Sequence, residues 1–78
     1  GCVFKNPEGK SAGELIDQAG LKGARCGGAV VSPHHANFII NDKQATCSDV
    51  LQLMDRIKEA VRSRFGTELE PEIEHWQE

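Results

Sequence analysis

The 78-residue chain lacks long apolar runs, an excess of positive charge and closely paired cysteines. No stretch approaches the ~20 apolar residues that a membrane-spanning helix needs, and no signal-peptide core is visible. A net charge of −3 supplies no basic field to draw nucleic acid or an anionic membrane. Cys2, Cys26 and Cys47 are odd in number and widely spaced, so they form neither the CxxC pairs of a zinc site nor the even set of a secreted disulfide framework. Repeats and low-complexity stretches are absent. The expectation is a soluble, cytoplasmic chain with reduced thiols. Its length suits one small domain, which buries only about 60% of its unfolded surface and is marginally stable alone. The first residue is Gly1 rather than Met, which suggests a piece of a longer protein.

Local patterns then predict the elements. Val3 and Phe4 end a short strand, and Asn6-Pro7-Glu8-Gly9 reads as a turn in which Pro7 pushes Asn6 out of the helical region. Ser11 and Glu14 have capping-box spacing, so a two-turn helix begins here, with Leu15, Ile16 and Ala19 on its apolar face and Gly20 at its C-terminal cap. Gly23, Gly27 and Gly28 precede Ala29-Val30-Val31, a strand whose backbone is expected to approach another element or a ligand closely. Phe38-Ile39-Ile40 is predicted as a buried strand. A second capping box, Thr46 and Asp49, opens a long helix whose stripe is Val50, Met54, Ile57 and Val61, widened by Leu51, Leu53 and Phe65, and Gly66 ends it. Leu69 and Ile73 alternate with Glu70, Glu72 and Glu74, and Pro71 marks an edge. The sum is an α+β fold, two helices packed on a small, mostly antiparallel sheet.

Chemistry concentrates at the two ends. In Gly1-Cys2-Val3-Phe4-Lys5-Asn6-Pro7, a thiol able to act as nucleophile, acid or base stands beside a cation and an amide suited to phosphate or carboxylate oxygens. On residue type alone, Cys2 reads as core, Lys5 as a solvated lysine and Asn6 as a turn residue. Glu70, Glu72 and Glu74 would repel one another on one strand face and favour a shared proton, although a solvated face is the plainer reading. His34 and His35 are adjacent, point to opposite faces of an extended segment and do not chelate one metal together. No metal is expected, and one of the pair is expected to pack beneath its loop. Cys26 and Cys47 read as packing residues.

The opening heptapeptide is similar to the GSxFKNP motif of the UDP-N-acetylenolpyruvoylglucosamine reductase (MurB) family of peptidoglycan synthesis. The resemblance continues in order through AGELIDQAGLKG at 12–23, GGAVVSPHHANFIIN at 27–41 and FGTELEPEI at 65–73. It implies that residues 1–78 form a single C-terminal substrate-binding domain, with the FAD-binding domains elsewhere. It further implies that NADPH reduces the flavin, which passes hydride to C3 of UDP-N-acetylglucosamine-enolpyruvate to give UDP-N-acetylmuramate. By the same resemblance Cys2 takes the place of the family's proton-donating serine and Glu72 that of its active-site glutamate. Asn6 falls on a residue that holds the UDP part of the substrate, with Lys5 a weaker substrate contact. The family's frequent arginine is replaced by Glu74, so an enolate-stabilising arginine is expected from other domains, and the isolated chain is expected to be inactive.

Two other readings compete. One is a stand-alone sugar-nucleotide-binding module, and the other is a small interaction domain without catalysis. Perturbation of Asn6 by UDP-N-acetylglucosamine separates the last from the rest.

Overall fold

The computed structural model describes residues 3–71. Cys2, Glu72, Ile73 and Glu74 lie outside the described residues. Helix α1 spans Ala12–Gln18, strands β1, β2 and β3 span Arg25–Cys26, Ala29–Val31 and Ile39–Asn41, and helix α2 spans Cys47–Phe65. The strands form an antiparallel sheet in the order β1-β2-β3. The expected α+β architecture is therefore present. Helix α2 lies on β1 and β2, and α1 packs against α2.

Both helices begin where the capping residues predict. Ser11 caps α1 by accepting from the Glu14 amide at 3.3 Å. Thr46 and Asp49 complete a reciprocal box on α2, at 3.0 and 3.1 Å, which satisfies two of the amides a helix start leaves open. At the end of α1, the amides of Gly20 and Leu21 return to the carbonyls of Asp17 and Ile16, the paired bonds of a Schellman motif. Gly66 closes α2 with φ 69°, a left-handed conformation that a side chain would strain.

Residues 24–31 hold more than the single strand expected, because Gly27-Gly28 is the two-residue loop of a β1–β2 hairpin. The close approach read from the glycines is to the chain's own backbone. A Cβ on Gly28 would strike the carbonyl of Lys43 and come within 2.7 Å of the Ala45 nitrogen.

The core joins Phe4, Ile16, Val31, Val50, Leu53, Ile57, Val61 and Leu69, all 2% exposed or less. Two expectations need correction. Phe38 and Ile40 are 39% and 42% exposed, since β3 is the sheet's edge strand and the pleat turns them away from Ile39. Leu51 is 53% exposed, one position round the helix from the buried Val50 stripe. Among the described residues, no helix is long and apolar enough to cross a membrane.

Candidate functional site

The two chemistry-bearing ends meet. Phe4 and Pro71 form an antiparallel bridge, and the Lys5 amide donates to the Glu70 carbonyl at 2.8 Å. The segment following Cys2 is thus paired with the segment preceding Glu72, although nearly the whole chain separates them. Cys2 and Glu72 themselves lie outside the described residues.

The other flank of residues 3–5 is held by Asn37, which the sequence reading passed over. Its carbonyl accepts from the Val3 amide at 2.8 Å. Its side-chain Oδ1 accepts from the Phe4 amide at 2.9 Å, and its Nδ2 donates to the Phe4 carbonyl at 2.8 Å. Asn37 is 7% exposed, so these bonds replace water that cannot reach it. The signal was a polar residue inside the apolar stretch Ala36-Asn37-Phe38-Ile39-Ile40, a position where a buried amide needs partners.

Asn6 is exposed, and its Oδ1 accepts from the Ala12 amide at the start of α1, at 3.0 Å. The side chain thus bonds backbone as a turn residue would, but that of the α1 start six residues on rather than its own turn, and this orients the amide: with oxygen committed to the helix, the NH2 group is the face available to a ligand. Two shallow grooves flank it. One, of about 320 Å³, is lined by Lys5, Asn6, Pro7, Glu8, Glu68 and Glu70. Three carboxylates face one ammonium there, a poor balance for an anion. The other, of about 390 Å³, includes Asn6, Ser11, Lys22, His34, His35 and Phe38. Glu14 and Asp17 line it too, and Lys22 is paired with Asp17 at 3.5 Å, so its charge is no more favourable to an anion; what it offers a ligand is hydrogen-bonding groups on Asn6, Ser11 and the two imidazoles.

His34 and His35 are both exposed, so neither packs beneath the loop. Their amides both donate to Oγ of buried Ser32 at 3.1 Å, which turns the segment outward, and the His35 ring rests 5.4 Å from that of Phe38. Cys26 and Cys47 are half-buried and line neither groove; Cys26 packs against the core, with its Sγ 3.5 Å from Gln52 Oε1 of α2.

Comparison with known proteins adds the lineage. A family model described as UDP-N-acetylenolpyruvoylglucosamine reductase, C-terminal domain, matches residues 1–76. A UDP-N-acetylenolpyruvoylglucosamine reductase 2 of Symbiobacterium thermophilum is 60% identical over 97% of this chain and 25% of its own length. The Moorella thermoacetica reductase is 58% identical over 100% of this chain and 26% of its own. The crystal structure of the reductase from Thermus caldophilus superposes with a TM-score of 0.81 at 51% identity, covering 99% of this chain and 27% of that one. The chain thus spans about a quarter of the length of the relatives it matches. With the two motifs paired as described and the match running almost end to end, the chain belongs to the UDP-N-acetylenolpyruvoylglucosamine reductase C-terminal domain family.

Proposed function

We propose that this chain is the substrate-binding and proton-delivering domain of a cytoplasmic UDP-N-acetylmuramate dehydrogenase. The observation that carries the reading is the antiparallel pairing of residues 4–5 with residues 70–71. That pairing sets the residues that follow Cys2 in sequence beside those that precede Glu72.

FAD does not fit the described residues. A dinucleotide binds best where a helix start leaves amides open for its pyrophosphate. Here Asn6 and Ser11 occupy the Ala12 and Glu14 amides at the start of α1, Thr46 and Asp49 form a reciprocal box on α2, and the grooves beside Asn6 are shallow and carry carboxylates. The flavin and the NADPH site are assigned to the remainder of the protein, and hydride originates there.

The residues of this chain act on the substrate. Once hydride has reached C3 of the enolpyruvyl group, negative charge develops at C2 and its carboxylate, and two functions are required: an acid for C2 and stabilisation of the enolate. The Cys2 thiol supplies the proton and leaves a thiolate, which solvent reprotonates. Glu72 stabilises or protonates the intermediate. The Asn6 NH2, with His34 and His35 along the same groove, faces the nucleotide end of UDP-N-acetylglucosamine-enolpyruvate, and Lys5 is the weaker contact.

In the full-length protein, Cys2→Ala is expected to abolish most substrate reduction while NADPH still reduces the flavin. Glu72→Gln is expected to lower kcat more than it raises KM. Stopped-flow measurement of the two half-reactions separates these effects. Unchanged turnover of the Cys2 variant would refute the assignment.

A further inference from the structure

We propose that the outer edge of β3 and the sheet face bearing Phe38 and Ile40 are the seat of the remaining part of the longer protein, which adds an extended segment to that edge and walls the groove beside Asn6. The inference rests on the reading of the chain as one domain of a longer reductase.

This side of the sheet lacks a partner in both its side chains and its main chain. Helix α2 packs on the sheet, whose Ala29 and Val31 are fully buried. On the opposite face of the pleat Phe38 and Ile40 are exposed, Val30 stands half-buried across from Ile40, and the His35 ring leans on Phe38. Among the other described residues, only Leu51 is a large apolar side chain so open to solvent.

The main chain tells the same from different atoms. At the two ends of the β2–β3 ladder the Ser32 amide donates to the Phe38 carbonyl and the Asp42 amide to the Gly28 carbonyl, both at 2.9 Å. Bonding groups alternate along an antiparallel strand, so Phe38, Ile40 and Asp42 turn theirs toward β2 while Ile39 and Asn41 turn theirs outward. No described residue bonds those outward groups. Sheet edges are commonly guarded by charge, proline or a bulge. Apart from being short, Phe38-Ile39-Ile40-Asn41 has none of these, and such an edge accepts an extended segment as an added strand.

The occupant follows from length and from the groove. The chain spans only 25% and 26% of two of its relatives, so the larger part of the same polypeptide has yet to find its contact with this domain. Phe38 lies both on the uncovered face and in the wall of the groove that holds Asn6, His34 and His35. That groove is shallow, whereas small-molecule sites bury most of their ligand and favour domain interfaces. A body seated on Phe38 and Ile40 stands where the second wall is needed.

The test is hydrogen exchange at single amides in the substrate-free, full-length wild-type protein. The Ile39 and Asn41 amides should exchange about as slowly as that of Val31, which donates to the Ala24 carbonyl at 2.8 Å, and should stay protected on dilution at monomer mass. Fast exchange at both in a protein that turns over would overturn the proposal. Protection that fades as a dimer is diluted would overturn it too, by giving the face to a second copy. Ile40→Lys should speed exchange at both amides by about tenfold or more, the response expected of a contact central to an interface. Leu51→Lys, at a comparably exposed apolar residue of α2, should leave both unchanged, and equal effects at the two positions would count against the seat. Failure of wild type to reduce the enolpyruvyl substrate would refute the functional reading by itself, a result separate from exchange at β3.

Discussion

Asp49 concentrates more structure in one carboxylate than any other described acid. Its Oδ2 accepts from the Thr46 amide at 3.1 Å and from the Gly28 amide at 3.2 Å, so one side chain caps α2 and pins the β1–β2 turn to it. These backbone bonds hold its carboxyl below the usual range, with the Thr46 contact contributing most. Asp42 is lowered in the same direction, first by the hydrogen bond from Arg25 and then by its charge. Both groups bind protons less readily folded than unfolded, so their contribution is complete above the ordinary carboxylate range, near pH 4, and is lost as pH falls through their depressed values. Thermal melts from pH 6 to 2 are therefore expected to show Tm falling below about pH 4. Asp49→Asn should flatten that fall more than Asp17→Asn, a flat response in wild type being the contrary result.

At the scale of elements, α2 organises the domain. Its stripe buries Val50, Leu53, Met54, Ile57 and Val61 against the sheet and α1, while Leu51 looks outward. Leu53→Ala should cost roughly 2–5 kcal/mol through lost contacts and a residual cavity, a Tm decrease of about 10 °C or more for a domain this small. Leu51→Gln should stay within about 0.5 kcal/mol. Equal effects at the two positions would mean that the helix faces the sheet differently. Both helices were legible in the sequence because caps and 3.6-residue periodicity are local signals. The short strands were less so: a three-residue apolar run such as Phe38-Ile39-Ile40 has no period long enough to distinguish a buried face from an edge. The hairpin at Gly27-Gly28 was hidden because β1 is two residues long and carries no apolar alternation.

For the whole molecule, the described ion pairs, Lys22–Asp17, Arg25–Asp42 and Arg62–Glu59, all involve substantially exposed side chains. Such pairs contribute little and are screened by salt. Stability therefore rests on the apolar core, and raising NaCl from 0.05 to about 1 M should change Tm by less than about 5 °C. A larger fall in a salt series would show that surface charge matters more than the core does. The candidate site was only partly legible for a related reason. Motif resemblance pointed to its two ends, but their pairing and the Asn37 clamp join residues far apart in sequence, and no local pattern encodes such contacts.

The bridge between Phe4 and Pro71 also sets an order of assembly. Closing a loop of almost the entire chain costs entropy that only the intervening helices and hairpin can offset. The pairing of residues 4–5 with residues 70–71 is therefore expected to form after the helices and hairpin between them, which φ-values near zero at Phe4 would check. On that order a partly folded domain leaves residues 4–5 and 70–71 unpaired, so their pairing doubles as a check that the whole domain is intact.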